Sequence, residues 1–308
     1  MRSTIHNDDC CDLTTPRAFS MKYRHGCHAG NFADVHKHVA LLALLRALQG
    51  KDKGFLYLDT HAGRGSYDLS SPTEEAAAGI ERFLASSCEA PELHEYAALL
   101  GGFRSPAADR HRYPGSPLIA ALELRPQDRA VFIELQGAEA HALEESLTAF
   151  GAAGARMRIE RGDGFERLKA FLPPPERRGL TLLDPPYEET RTDFARLAAA
   201  LAEVLRRFPS GVVAAWYPIK DQRTTNAWLS GSLPPLAAPL LQSELWLYPR
   251  DARVGLNGSG LLIANPPWRF LERMQVWLPQ LQACLTAAPG GAGSRGGSSA
   301  RMLSQSAQ

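Results

Sequence analysis

Gly179-Leu180-Thr181-Leu182-Leu183-Asp184-Pro185-Pro186-Tyr187 is the stretch that decides how this chain reads. A short, mostly apolar run bounded by glycine and proline predicts a buried strand. The tetrapeptide that follows then sits at the strand's carboxyl end, where open α/β sheets bind ligands. Pro185 and Pro186 fix φ and carry no N–H, so the backbone there is stiff. Asp184 and the carbonyl of Pro185 can accept the two hydrogens of an exocyclic amine. Tyr187 offers a flat face on which the base carrying that amine could stack. The same four residues also suit a strand that ends in a proline-rich turn with an acidic cap, so the surrounding sequence must decide.

Working outward, strand-like and helix-like segments alternate. Short apolar runs fall at residues 55–58, 131–133, 157–159, 179–183, 212–216, 244–248 and 261–264, which makes seven predicted strands. Helical spacing falls between them, notably over 33–49, 138–150, 165–172 and 194–208. Such alternation implies a mainly parallel sheet covered on both faces. The gap between the first two strands is far longer than a crossover needs. Residues 66–115 therefore read as a small helical insertion, either for recognising substrate shape or for covering a sheet edge.

Each of the first four strands ends in residues that could face a ligand. After the first comes Asp59-Thr60-His61-Ala62-Gly63-Arg64-Gly65, where Gly-x-Gly lets backbone approach a bulky group. A dinucleotide site would want a third glycine where this chain has Asp68, and an acid about twenty residues on; hydride chemistry with a nicotinamide is disfavoured. Glu134 ends the second strand and could accept both hydrogens of a ribose diol, although a glutamate there is more often a solvated terminus. Asp163-Gly164 follows the third and could take an adenine amine, although alone it reads as a turn. Together with Asp184, the order matches a methyltransferase that uses S-adenosyl-L-methionine. Asn265-Pro266-Pro267-Trp268 repeats the chemistry of the tetrapeptide, but ends the last strand rather than the one expected beside the first.

The segment Tyr23-Arg24-His25-Gly26-Cys27-His28-Ala29-Gly30-Asn31-Phe32-Ala33-Asp34-Val35-His36-Lys37-His38 is dense in histidine. Metal binding is disfavoured, because no second spaced ligand pair accompanies it and His25-x-x-His28 lacks the i, i+4 spacing of a zinc hydrolase. Phosphate and base recognition by Lys22, Arg24, Lys37 and Tyr23 is the alternative, and a plain helix cap with His38 facing inward is the blandest reading. Tyr113-Pro114-Gly115-Ser116-Pro117 reads as a turn, and Ser116 by itself draws no functional weight.

Composition bounds the remaining possibilities. The chain has 308 residues, 44% hydrophobic, with a net charge of +1, so a nucleic-acid footprint must be a local basic patch. Five cysteines, Cys10, Cys11, Cys27, Cys88 and Cys284, are neither paired in CxxC spacing nor dense enough for a disulfide scaffold; they suit a reducing cytoplasm. No signal peptide or membrane span is visible. Residues 1–20 read as a disordered extension and 288–308 as a flexible Gly/Ser-rich tail.

With these residues in view, the chain resembles the RlmJ family of 23S rRNA adenine-N6 methyltransferases, from about residue 21 to 279. The likeness rests on the 23–38 segment, Leu58-Asp59-Thr60-His61-Ala62-Gly63, Tyr113 to Pro117, Asp163-Gly164-Phe165, Asp184 to Tyr187 and Asn265 to Trp268. The resemblance implies a Rossmann-like class I methyltransferase domain over 21–287. It implies S-adenosyl-L-methionine contacts at His38, His61, Ser116, Glu134, Asp163, Gly164 and Asp184, and an RNA contact at Tyr23. Asp184 would be catalytic, Tyr187 would hold the flipped base, and no metal would be needed. The expected partner is 23S rRNA, protein-free or in an early assembly intermediate, met by a monomer. A DNA adenine-N6 methyltransferase or a non-catalytic RNA-binding module are the rival readings; a protein glutamine methyltransferase fits less well, because its tetrapeptide begins with Asn.

Overall fold

The structure, a computed structural model, describes residues 28–104, 111–151, 156–187, 190–231, 233, 236–286 and 296–303. In chain order the elements are α1 (Phe32–Gln49), β1 (Leu56–Asp59), β2 (Ser66–Asp68), α2 (Glu74–Ala76), α3 (Arg82–Ala85), α4 (Pro91–Phe103), β3 (Arg112–Pro114), α5 (Ser116–Glu123), β4 (Arg129–Glu134), α6 (Gly137–Ala149) and β5 (Arg156–Arg161). There follow α7 (Gly164–Arg167), β6 (Gly179–Leu183), α8 (Thr190–Arg207), β7 (Val212–Ile219), α9 (Gln222–Gly231), β8 (Leu240–Trp246), β9 (Gly258–Ala264), α10 (Phe270–Thr286) and β10 (Gly297–Leu303).

The main sheet runs β10-β8-β9-β7-β6-β1-β4-β5. Strands β5, β4, β1, β6 and β7 are parallel, and β9 is antiparallel to both β7 and β8. The order reverses direction at β1, and β6 lies directly beside it. That places the ends of β1 and β6 at the switch point where open α/β sheets take ligands. All seven strands expected from the sequence are present.

The eighth, β10, corrects one expectation. Residues 297–303 pair antiparallel with β8 along seven residues, within the segment read as a flexible tail. The glycine and serine content argued for a linker, but an exposed edge of unpaired N–H and C=O groups recruits a strand through its backbone, whatever the side chains are. Residues 288–295, 304–308 and all of 1–20 lie outside the described residues.

Sheet side chains alternate between two apolar faces. Along β1, Phe55 and Tyr57 join the cluster built with α1, α4 and α10, while Leu56 and Leu58 join the one built with α8. Burial on both faces is why the strands read as continuous apolar runs. Helix α1 is buried from Phe32 to Leu45, polar residues included, because the sheet covers one side of it and α4 and α5 the other. Asn31 caps its start by accepting from the backbone N–H of Asp34 at 2.9 Å.

The insertion is helical as expected, but its base is a two-stranded antiparallel ribbon, β2 with β3. The sulfurs of Cys88 and Cys284 meet between the segment after α3 and α10. The cysteine spacing gave no hint of it, since 196 residues separate the pair. They meet because the insertion folds onto α10, where Ser86 Oγ also donates to the Cys284 carbonyl at 3.3 Å. Among the described residues no helix is long and apolar enough to cross a membrane.

Candidate active site

Asp184 begins the loop after β6, two strand widths from β4 and next to the end of β1. One of its oxygens, Oδ2, accepts from Lys37 Nζ at 2.6 Å, and the same ammonium lies 2.9 Å from Asp34. Lys37 also sits 5.6 Å from the centre of the Trp216 ring. Burial alone would strip the proton from Lys37, but the charges of Asp184 and Asp34 outweigh it and raise its proton affinity. The lysine therefore stays cationic. Oδ1 of Asp184 takes no hydrogen bond from the described residues, and its side chain is 12% exposed.

This corrects the reading of Lys37 as a phosphate contact: its side chain is only 5% exposed and spent within the fold. The signal was present in the sequence. Asp34 and Lys37 stand at i, i+3, so they share one helix face, and that face of α1 points at the sheet's carboxyl end. The described histidines of the segment diverge rather than converge. His28 meets Glu75 at 2.9 Å, His36 lies between Ser259 and Ser243 at 2.9 Å each, and His38 Nδ1 lies 2.8 Å from the Tyr113 hydroxyl. Burial pushes His36 down to about 3, so it is neutral. Tyr23 lies outside the described residues.

At the end of β1, Asp59 is fully buried. It accepts from Ser116 Oγ at 2.7 Å, Tyr57 OH at 3.0 Å and the His61 backbone N–H at 3.2 Å. Burial pushes its carboxyl up to about 6, against those hydrogen bonds. Ser116, which drew no weight as a turn residue, thus ties the start of α5 to the crevice. The tetrapeptide's neighbour across the gap, His61, stands edge-on to Phe165 at 4.9 Å. Burial pushes it down to about 4, while the charges of Asp184 and Asp163 pull the other way.

Glu134 ends β4 with Oε2 accepting from Gly63 N–H at 2.8 Å and Oε1 from Gln136 N–H at 2.7 Å. Burial raises its proton affinity despite these donors. Gly63 has φ 65°, and a Cβ there would stand 2.6 Å from the Tyr67 hydroxyl, so glycine is required for the turn that presents its N–H. Asp163 caps α7, accepting from Phe165 and Glu166 N–H, and pairs with Arg196 at 2.6 Å. Its burial would raise the carboxyl, but Arg196 and the cap lower it. Gly164 packs so tightly that a Cβ would lie 1.9 Å from the Thr60 carbonyl oxygen. That glycine lets the β5 loop close against the β1 loop.

Tyr187 departs from expectation. It adopts φ 54° and its ring is 4% exposed, packed edge-on between Phe194 and Trp216 at 5.4 Å each. Its hydroxyl donates to the Trp216 carbonyl at 2.7 Å. The ring shows no free face for a base; it anchors the loop that carries Asp184. A strand-end tyrosine can do either, and only packing tells them apart.

The second proline-rich motif is at the other end of the molecule. Because β9 runs antiparallel to β7, Ala264 pairs with Val213, the start of β7. Asn265 donates to the carbonyls of Pro209 and Gly211 at 2.8 Å each. It braces a turn, and Trp268 stands 90% exposed beyond it.

Four strand ends, β1, β4, β5 and β6, thus bring a glycine turn and a row of carboxylates to one edge of the sheet. Glu134 and Asp184 keep unused lone pairs, and the glycine-lined turn leaves backbone exposed to a bulky ligand; these donors and acceptors fit a nucleoside bearing an amino-acid arm, as S-adenosyl-L-methionine does. Residues 52–295 match the family described as ribosomal RNA large subunit methyltransferase D, RlmJ. The chain belongs to this family. It is 39% identical over 272 residues to ribosomal RNA large subunit methyltransferase J of Escherichia coli, covering 87% of this chain and 95% of that protein. The Haemophilus influenzae protein of the same name is 37% identical, covering 89% of this chain and 96% of its own length. The crystal structure of protein LPL1258 from Legionella pneumophila superposes with a TM-score of 0.78 at 34% identity, over 91% of this chain and 99% of that one.

Proposed function

We propose that this RlmJ-family protein methylates N6 of an adenine in 23S rRNA, with S-adenosyl-L-methionine as donor. The observation that carries the reading is Asp184, held at one oxygen by Lys37 and left open at the other, beside the glycine turn after β1. Glu134, Asp163 with Gly164, His61, His38, Ser116 and Asp184 would hold the donor. When bound, the donor supplies a sulfonium methyl carbon as electrophile.

Adenine N6 is a poor nucleophile, because its lone pair is delocalised into the ring. Asp184 Oδ1 and the Pro185 carbonyl would accept its two hydrogens, favour a more pyramidal nitrogen and aim the lone pair in line. Positioning of this kind accounts for much of the acceleration. Lys37 fixes the carboxylate, so that no rotation is needed when the base arrives. Once methylated, the nitrogen is strongly acidic and loses its proton to Asp184 or water; Asp184 need not be a strong base. The target base must leave its stack to enter. With the Tyr187 ring buried, Tyr187 supports the loop, and Tyr23 is the aromatic proposed to meet the RNA. The substrate would be protein-free 23S rRNA or an early assembly intermediate, bound by a monomer in the cytoplasm.

The test is transfer of labelled methyl into protein-free 23S rRNA and into DNA, followed by nucleoside mass spectrometry. N6-methyladenosine from RNA is expected. Label in DNA alone, or in a different nucleoside, would overturn the assignment.

A further inference from the structure

Three turns lie at the amino ends of the central parallel strands, the pole of the sheet opposite Asp184: residues 51–54 before β1, 125–128 before β4 and 173–178 before β6. With Arg129 at the first position of β4, they carry Lys51, Lys53, Arg125, Arg129, Arg177 and Arg178 against Asp52, Asp128 and Glu176. The whole chain is almost neutral at +1, so this excess is local.

Most of the acids are already committed. Asp128 is fully buried and accepts from Arg125 at 3.0 Å and from the backbone N–H of Phe55 at 3.3 Å. Glu176 is held by Arg129 at 2.8 Å. Lys51, Lys53, Arg177 and Arg178 form no ion pair with any described carboxylate. The turns are also stitched together. The Arg178 guanidinium donates to the carbonyls of Lys53 and Leu48, and Arg125 donates to the carbonyls of Gln49 and Lys51 at 3.1 and 3.0 Å. Burial and the neighbouring charge of Arg125 lower the proton affinity of Arg178. Arg125 is compensated by Asp128, whereas Arg178 is held beside it by backbone carbonyls, which fix its place without neutralising it. Lys51, Lys53 and Arg177 are exposed.

We infer that this pole is a second contact surface for the RNA phosphodiester backbone, gripping a part of the substrate remote from the adenine in the crevice. The inference rests on the reading of the substrate as rRNA. Uncompensated, pre-placed cations suit a polyanion, because each phosphate neutralised releases counterions and the repulsion among the cations falls. The strand β6 between the poles has five residues, or ~17 Å of backbone, so a long folded RNA can reach both ends while a minimal hairpin engages the crevice alone.

The test compares wild type with the triple variant Lys51→Gln, Lys53→Gln, Arg177→Gln. None of these residues touches the crevice, and all are exposed, so the fold and cofactor affinity should hold. Binding is measured against salt for a long 23S rRNA fragment and for a short hairpin carrying the target adenine. On the long fragment, the slope of log affinity against log salt should become shallower by about 2 in the variant, with affinity at moderate salt down about 10- to 100-fold. On the hairpin, slope, kcat and KM should match wild type. Equal slopes for the two proteins on the long fragment would overturn the inference, as would an equal loss on both RNAs, which would reflect net charge alone. Methyl transfer by wild type to either RNA is read separately: its failure would sink the substrate reading, whereas the slopes report on the pole.

Discussion

At the scale of single residues, the buried Asp34–Lys37–Asp184 triad is where stability and chemistry meet. Removing the cation leaves two carboxylates out of water and facing each other. Lys37→Met should therefore cost about 3–5 kcal/mol in denaturant unfolding, and methyl transfer should fall with it. Adding Asp34→Asn should recover part of the stability without recovering activity; full recovery of both would show that Lys37 only compensates Asp34. His36 gives a pH prediction with a definite sign. Its folded pKa of about 3 lies below the ordinary 6.5, so the unfolded chain takes up the proton first. The neutral form's stability is fully present above pH ~6.5 and is lost as pH falls toward 3, about 2 kcal/mol by pH 5. Asp59 works in the opposite direction, since its carboxyl is pushed up to about 6 and protonates in the fold first. Comparing wild type with His36→Gln isolates the histidine: the drop in unfolding free energy between pH 7.5 and pH 5 should shrink by about 2 kcal/mol. An unchanged drop would contradict burial of a neutral imidazole.

At the scale of elements, close approach between the loops after β1 and β5 shapes the crevice. Gly164→Ala puts a methyl group into the Thr60 carbonyl. We expect a loss of about 1–3 kcal/mol of stability and a weaker response to S-adenosyl-L-methionine in calorimetry; wild-type affinity would mean the loops are free to part. Truncation after Gly296 removes β10 and bares the edge of β8. It should lower the melting temperature by a few degrees while leaving cofactor binding intact, because the strand lies four strands from β6. Much of this arrangement was legible in the sequence. Apolar runs marked seven strands, and the polar residues at the carboxyl ends of the first four marked the crevice. What was not legible depended on partners distant in sequence. The β10 pairing is carried by backbone and leaves little trace in side chains. The buried ring of Tyr187 depends on Phe194 and Trp216. The role of Asn265 follows from the reversed direction of β9, which no local pattern discloses.

Across the whole molecule, the parallel strands give the sheet two unlike poles. Carboxylates and a glycine turn gather at one, and uncompensated cations at the other. Between them α1 carries Lys37 to the crevice and buries His36 against β8 and β9, joining the site to the antiparallel half of the sheet. The insertion reaches the same crevice through Tyr113 on His38, Ser116 immediately after it donates to Asp59, and the insertion's far side is fastened to α10. Movement of the insertion would therefore be felt at β1.

The account depends most on Asp184 presenting its open oxygen to the base. The direct measurement is methyl transfer by Asp184→Ala to protein-free 23S rRNA with labelled S-adenosyl-L-methionine, alongside calorimetric binding of that donor. The account predicts donor binding within several-fold of wild type and transfer reduced by at least about 1,000-fold. Transfer at the wild-type rate would contradict it.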